Sequence, residues 1–318
     1  MKRTTAHVLA FIIVAFITYN SFPNPMQEDY RVLFNDSAIE VVKKQDALYS
    51  EIENKAGQFE KAPQDAKIDK VWKATPGLNG KKVNIEKSYN NMKKDGLFNE
   101  KKLIFDEIPP TVHLEDLPAS PIYRGHPDKK MVSFIINVAW GNEYIPDMLE
   151  TLEKNNVRAT FFLEGRWVKE NPSIAKMIFD AGHELGNHSY THPDMKTLGS
   201  NAVRDQLIKT NDVIDATTGV KPTWFGPPSG SYRQEVVEIA KELNMGTIMW
   251  SVDTIDWQRP EPHVIVNRVT EKVHPGALIL MHPTEPTAKA LETLIISIKE
   301  KDLEIDTVSS LLSEERRD

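Results

Sequence analysis

A chain of 318 residues, 40% of them hydrophobic, has the length for one large domain or two smaller ones, each with its own core. The formal net charge of −7 argues against nucleic acid as a partner, because displacing counterions from phosphates takes a basic surface and no basic block stands out. With no cysteine, disulfide scaffolds, thiolate-held zinc, iron–sulfur clusters and thiol nucleophiles are excluded, so any metal has to sit on His, Asp or Glu.

In chain order, Lys2 and Arg3 precede an apolar stretch from Ala6 to Phe16 or Ile17, the pattern of an export signal. Residues 1–24 therefore read as a signal peptide or a signal anchor, the only membrane contact expected. The stretch is short for a span of about 20 residues, yet no Ala-x-Ala cleavage site follows, so both forms stay open. Residues 25–128 read as a small α+β module or linker. A helix is expected over Ala47 to Phe59, with Leu48, Ile52 and Phe59 on one side. A second unit opens at the turn cluster Pro76 to Gly80, runs through Val83, Ile85, Tyr89 and Met92, and closes near Pro109 and Pro110.

Residues 129–318 change pattern to short apolar runs alternating with amphipathic helices, as in parallel β-α units. Strands are expected at Val132 to Ile136, Ala159 to Leu163, Glu184 to Gly186, Thr223 to Phe225, Gly246 to Trp250 and Ala277 to Met281. Helical spacing shows in Ile145, Met148, Leu149 and Leu152, in Val236, Ile239, Ala240 and Leu243, and in Leu291, Leu294, Ile295 and Ile298. Such units close into a distorted (β/α) barrel, where chemistry gathers at the carboxyl ends of the strands.

One such end carries His188-Ser189-Tyr190-Thr191-His192. Two imidazoles four residues apart share a face of a helical turn and can converge on a zinc-like cation; they can equally be structural histidines. His113, His126, His183, His263 and His274 have no partner pattern and read as structural. There is no Gly-rich nucleotide loop and no Gly-x-Ser-x-Gly elbow, which speaks against a serine mechanism.

Five pieces in order resemble the polysaccharide deacetylases (NodB-homology, carbohydrate esterase 4), over Met131 to Asp318, about three fifths of the chain. They are Ile135-Ile136-Asn137-Val138-Ala139-Trp140-Gly141, where the family has Thr-Phe-Asp-Asp-Gly; Gly186-Asn187 with His188 to His192; Gly226-Pro227-Pro228-Ser229-Gly230, for Arg-x-Pro-x-Gly; Asp253-Thr254-Ile255-Asp256-Trp257, for Asp-Ser-x-Asp-Trp; and Leu280-Met281-His282, for Leu-x-His. The run Pro227 to Arg233 and the first piece are similar to the sporulation-associated branch from Gram-positive spore formers. The resemblance implies metal-assisted hydrolysis of the acetamide of an N-acetylated glycan such as peptidoglycan, at the outer face of the membrane, the wall or the spore envelope. It implies His188 and His192 as metal ligands and His282 as leaving-group acid, oriented by Asp253 or Asp256. The backbone near Ser229 would hold the oxyanion, with Trp257 and Leu280 walling the acetyl pocket. Trp140 and Trp257 are the aromatic faces expected to meet sugar rings.

Two positions depart from that scheme. The general base would be Asn137, whose amide takes no proton near neutral pH, and the metal-binding Asp is replaced by Val138. The Arg that pairs with the base is also gone, its place taken by Gly226. A divalent metal on two imidazoles alone is expected to bind weakly, with Asn142, Glu143, Asp253 and Asp256 as candidates for a third ligand. Three readings follow: a deacetylase of reduced or altered activity, a pseudoenzyme binding glycan or a wall-synthesis partner, and a structural stalk whose barrel mouth is filled and whose histidines diverge.

Overall fold

The computed structural model describes residues 46–317. The expected signal segment, residues 1–24, and the first part of the linker lie outside the described residues. No described helix is long and apolar enough to cross a membrane.

The chain divides into two compact units. One joins Lys82–Asp106 to the described residues up to Glu60. Its helix Ala47–Ala56 starts where the Asp46 carboxylate accepts the Leu48 N–H at 2.8 Å, and it stops at Gly57, short of the expected Phe59. A second helix, Ile85–Met92, is capped the same way by Asn84, and Leu48, Ile52, Val83, Met92 and Leu103 form the small core.

The other unit, Lys61–Lys81 with Glu107–Asp318, holds an all-parallel curled sheet. Its strands are β1 (Met131–Val138), β2 (Thr160–Leu163), β3 (Glu184–Asn187), β4 (Trp224–Phe225), β5 (Gly246–Thr247), β6 (Val252–Asp253), β7 (Leu278–Met281) and β8 (Glu304–Ile305). Neighbours run β6-β7-β1-β2-β3-β4-β5, with β8 also on β1, which is a distorted (β/α) barrel open between β5 and β6. β1 is buried at all eight positions because both faces are covered. Val132, Phe134, Ile136 and Val138 point into the helix-facing core, and Met131 and Ile135 point inward with Phe162, Leu278 and Leu280. The helix Ile145–Lys154 buries the expected Ile145, Met148, Leu149 and Leu152, each contributing about 2 kcal/mol of transfer free energy. A short helix, Val308–Leu312, closes the base through Val308, Leu311 and Leu312. The expected strand Gly246 to Trp250 is cut to two residues. Beyond them the edge is covered by Ile122, which donates to Thr247 and accepts from Met249, each at 2.8 Å.

Candidate functional site

Asn137 lies on the inward face near the carboxyl end of β1, only 8% exposed. Its register partner is Phe162, and it stands one row beyond the Ile136–Met281 pair, level with His282.

His188 follows β3 directly. Its Nδ1 lies 2.7 Å from the Gly226 carbonyl oxygen, which can only accept, so Nδ1 carries the proton and Nε2 keeps a free lone pair. Burial, then the charges of His192 and His282, push its pKa down to about 3, with the Gly226 bond opposing. The His192 ring sits 5.0 Å away, centroid to centroid, at 67°, and burial lowers its pKa as well. The helical turn expected for this pair is absent. Ser189 and His192 both adopt positive φ, 62° and 52°, and this doubled reversal brings the two rings together. The reversal is held by side chains: Asn187 Oδ1 accepts from Ser189 N at 2.9 Å, and Gln206 Oε1 accepts from Tyr190 N and Thr191 N at 2.8 and 2.9 Å.

His282 follows β7. Its Nδ1 is 2.8 Å from Asp256 Oδ1, and its backbone N–H donates to Asp256 Oδ2 at 2.6 Å. Asp256 is fully buried and its Oδ2 also accepts from Thr287 Oγ1 at 2.7 Å, so three donors stabilise the carboxylate's charge away from water. Of the two acidic candidates, Asp256 orients His282. Asp253 instead accepts the Ile255 N–H at 2.8 Å and shapes its own loop. The Trp140 indole stacks on the His282 ring, 7° from parallel at 6.0 Å. Gly141 permits this: its φ is +83°, and a Cβ there would stand 2.1 Å from the Pro283 carbonyl oxygen.

Trp140 and Trp257 are 45% and 58% exposed, offering apolar faces to solvent, whereas Leu280 is buried in the barrel interior. Ser229 is exposed on a left-handed turn, φ 52°. The imidazoles of His188 and His192 thus meet, and His282 acts electrostatically on both. The diverging histidines required of a structural stalk are not found.

The candidates for a third metal ligand do not complete a set. Asn142 uses its amide to donate to Asn171 and to accept from the Trp167 indole, Asp256 is engaged with His282, and no group of three His, Asp or Glu side chains converges among the described residues. Two neutral imidazoles with presented lone pairs suit half of a zinc-type site; the carboxylate half is missing.

A family model described as polysaccharide deacetylase matches residues 124–248. The Bacillus subtilis protein YlxY is 53% identical over 96% of this chain and 96% of its own. A wild-type CE4 family pseudoenzyme from Bacillus anthracis superimposes with a TM-score of 0.83 at 62% identity, covering 86% of this chain and 98% of that one. The chain belongs to the polysaccharide deacetylase family. A mutant of that pseudoenzyme described as having restored enzymatic activity matches at 61% identity and a TM-score of 0.82, over 85% of this chain and 99% of that one. The peptidoglycan-N-acetylglucosamine deacetylase of Bacillus cereus is 35% identical over 182 residues, 55% of this chain and 66% of its own.

Deacetylases of this family are generally metal-dependent, and the positions expected to carry charge for that chemistry are uncharged in this chain. Val138 packs into the helix-facing apolar core, fully buried. At Gly226 a Cβ would sit 2.9 Å from the Phe162 ring, so any side chain there displaces that ring. Sequence reasoning passed over Glu164, a buried carboxylate at the end of β2 that caps the next helix by accepting the Trp167 N–H at 3.2 Å. Burial raises its pKa. It also passed over Thr287 and Gln206, which act from helices distant in sequence.

Proposed function

We propose that this chain is a glycan-binding member of the polysaccharide deacetylase family that has lost hydrolytic power, acting on the outer side of the cell membrane on N-acetylated wall glycan such as peptidoglycan. The observation that carries the reading is the chemistry of the row at Asn137. An amide stands where a water proton has to be taken, an apolar side chain follows it into the core, and no three-residue ligand set exists among the described residues. What remains suits binding: Trp140, stacked on His282, and Trp257, next to Asp256 in the chain, are both exposed, and exposed indole rings pack against sugar C–H surfaces. In this reading Trp257 and Leu280 bound the pocket, the Ser229 turn presents backbone donors, and a divalent cation on His188 and His192 binds weakly.

A second reading, a deacetylase of reduced activity, is favoured by His282 held by Asp256 and by the unprotonated Nε2 of His188. One set of assays separates the two. The purified chain and Asn137→Asp are given N-acetylated chitooligosaccharides and peptidoglycan with zinc, and released acetate is measured. No acetate above background from the parent, with gain of activity in the variant, supports the proposal. Acetate from the parent that disappears in His188→Ala refutes it in favour of the second reading.

A further inference from the structure

The barrel unit carries a hairpin of two three-residue strands, Lys67–Asp69 and Lys73–Thr75, paired antiparallel. Its root is packed: Ala74 is buried among the residues of the barrel interior, its N–H donates to the Pro121 carbonyl at 3.1 Å, and Thr75 is buried beside it. Its tip is set by one carboxylate. Asp69 Oδ1 accepts the Val71 and Trp72 N–H groups at 2.7 and 2.8 Å, and Lys73 closes the three-residue loop at a positive φ of 59°. Val71 is left 71% exposed and Ile68 46%, two aliphatic side chains presented to solvent. Below them the Trp72 ring lies 6.1 Å from the His274 ring and 5.4 Å from the Arg124 guanidinium, whose Nη2 donates to the Pro275 carbonyl at 2.7 Å. His274 and Pro275 lead into β7, and His282 follows it. The tip therefore sits at the amino end of the strand whose carboxyl end bears the candidate site.

Lys67, Lys70 and Lys73 surround the two aliphatic side chains, and all three are exposed. The Lys73 ammonium reaches only the Lys70 carbonyl, at 3.4 Å, which leaves its charge uncancelled. The carboxylates of the hairpin and of the two residues before it are Asp69 and Asp65, and both are turned onto backbone; Asp65 accepts from Thr111 N and Val112 N at 2.7 and 3.1 Å. With Arg124, four cations stand against two carboxylates, in a chain of net charge −7. Burial holds His274 below its usual pKa, so it adds no charge at neutral pH, and Glu271 and Lys272 at the end of helix Pro262–Lys272 offset each other. Aliphatic side chains at the point of a turn, lysines around them and an indole behind them match the layers of an anionic bilayer surface: acyl chains, charged head groups and the interface between them.

We propose that this hairpin tip rests in an anionic phospholipid surface, a second membrane contact beside the expected N-terminal segment, and so turns the barrel mouth away from the bilayer. The inference goes beyond the proposed glycan binding and holds whether or not the mouth hydrolyses anything. The full-length chain has no cysteine, so Val71→Cys at the tip and Gln258→Cys beside Trp257 can each take a single nitrobenzoxadiazole label. Each labelled chain is reconstituted into vesicles of phosphatidylglycerol or of phosphatidylcholine, with and without nitroxide-bearing lipid. The expected result is a blue shift and nitroxide quenching at position 71 in phosphatidylglycerol, weaker in phosphatidylcholine and absent at position 258. Adding Lys67→Gln, Lys70→Gln and Lys73→Gln should move the tip out of the lipid by about fivefold per lysine, about a hundredfold together. The matching Lys→Arg set should keep it in, with melting temperatures reporting folding. No blue shift at position 71 in phosphatidylglycerol, equal shifts at both positions, or insertion indifferent to the three lysines overturns the proposal. So does the same shift with soluble short-chain polyphosphate and no vesicles, since the ligand would then be a free anion.

Discussion

Acidification should destabilise this protein through two buried histidines, and the loss can be assigned to one of them. In the folded chain His188 is held near a pKa of about 3 and His183 near about 4, each mainly by burial, against an ordinary value of 6.5. A folded pKa below the unfolded one means that the unfolded chain takes up protons the folded chain refuses. Stability is therefore fully present above about pH 6.5 and falls as pH drops toward the folded values. One pKa unit corresponds to about 1.36 kcal/mol, so going from about pH 6.5 to about pH 5 should cost roughly 1.5–2 kcal/mol for each histidine, about 3–4 together. Against a total stability of about 5–15 kcal/mol such a change is easily read. Urea denaturation at several pH values in that window, with a chelator present so that only protons compete for the imidazoles, should show His188→Asn losing about 1.5–2 kcal/mol less than the parent. The substitution lowers stability at every pH, but only the slope tests the argument. Parallel slopes for parent and variant would mean that His188 is not buried neutral, and the proton assignment drawn from its Gly226 bond would go with it.

Asp256→Asn removes a buried charge that three donors serve and should cost about 3 kcal/mol in denaturant unfolding, with the Nδ1 proton of His282 shifting in an NMR spectrum. An unchanged spectrum would remove Asp256 from its orienting role. Gly141→Ala sets a methyl group against the Pro283 carbonyl at a positive φ, so Trp140 should leave the His282 ring. The readouts are a loss of glycan affinity of about tenfold and a change in tryptophan fluorescence, since an aromatic contact is worth about 0.5–1.5 kcal/mol beyond the area it buries. Zinc titration of the parent should show affinity that disappears on His188→Ala and is weaker than micromolar at about neutral pH; tight, stoichiometric zinc would show that a third ligand exists.

The barrel was legible because its strands are buried on two faces: Met131–Val138 is apolar at nearly every position, and no helix-period pattern competes with it. The two-residue strands Val252–Asp253 and Glu304–Ile305 carry no such signal, since their pairing is decided by neighbours far along the chain. The histidine pair was expected on a helical turn because four-residue spacing suggests one. What brings the rings together is a loop with two left-handed residues, tied by Asn187 and Gln206, and a spacing argument cannot see those ties. Asp256 could be named from its motif, but its preference over Asp253 rests on its bonds to the ring and backbone of His282, 26 positions away, which the motif alone cannot show.

The group that sets the proton of His188 is a main-chain oxygen, and it belongs to Gly226, the very position where the family carries its arginine. Replacing one side chain by another at that position leaves the carbonyl in place, so the imidazole keeps its tautomer whatever residue follows β4. Substitution can thus strip carboxylates from such a site while the imidazole beside them keeps its orientation, each part free to drift without dragging the other.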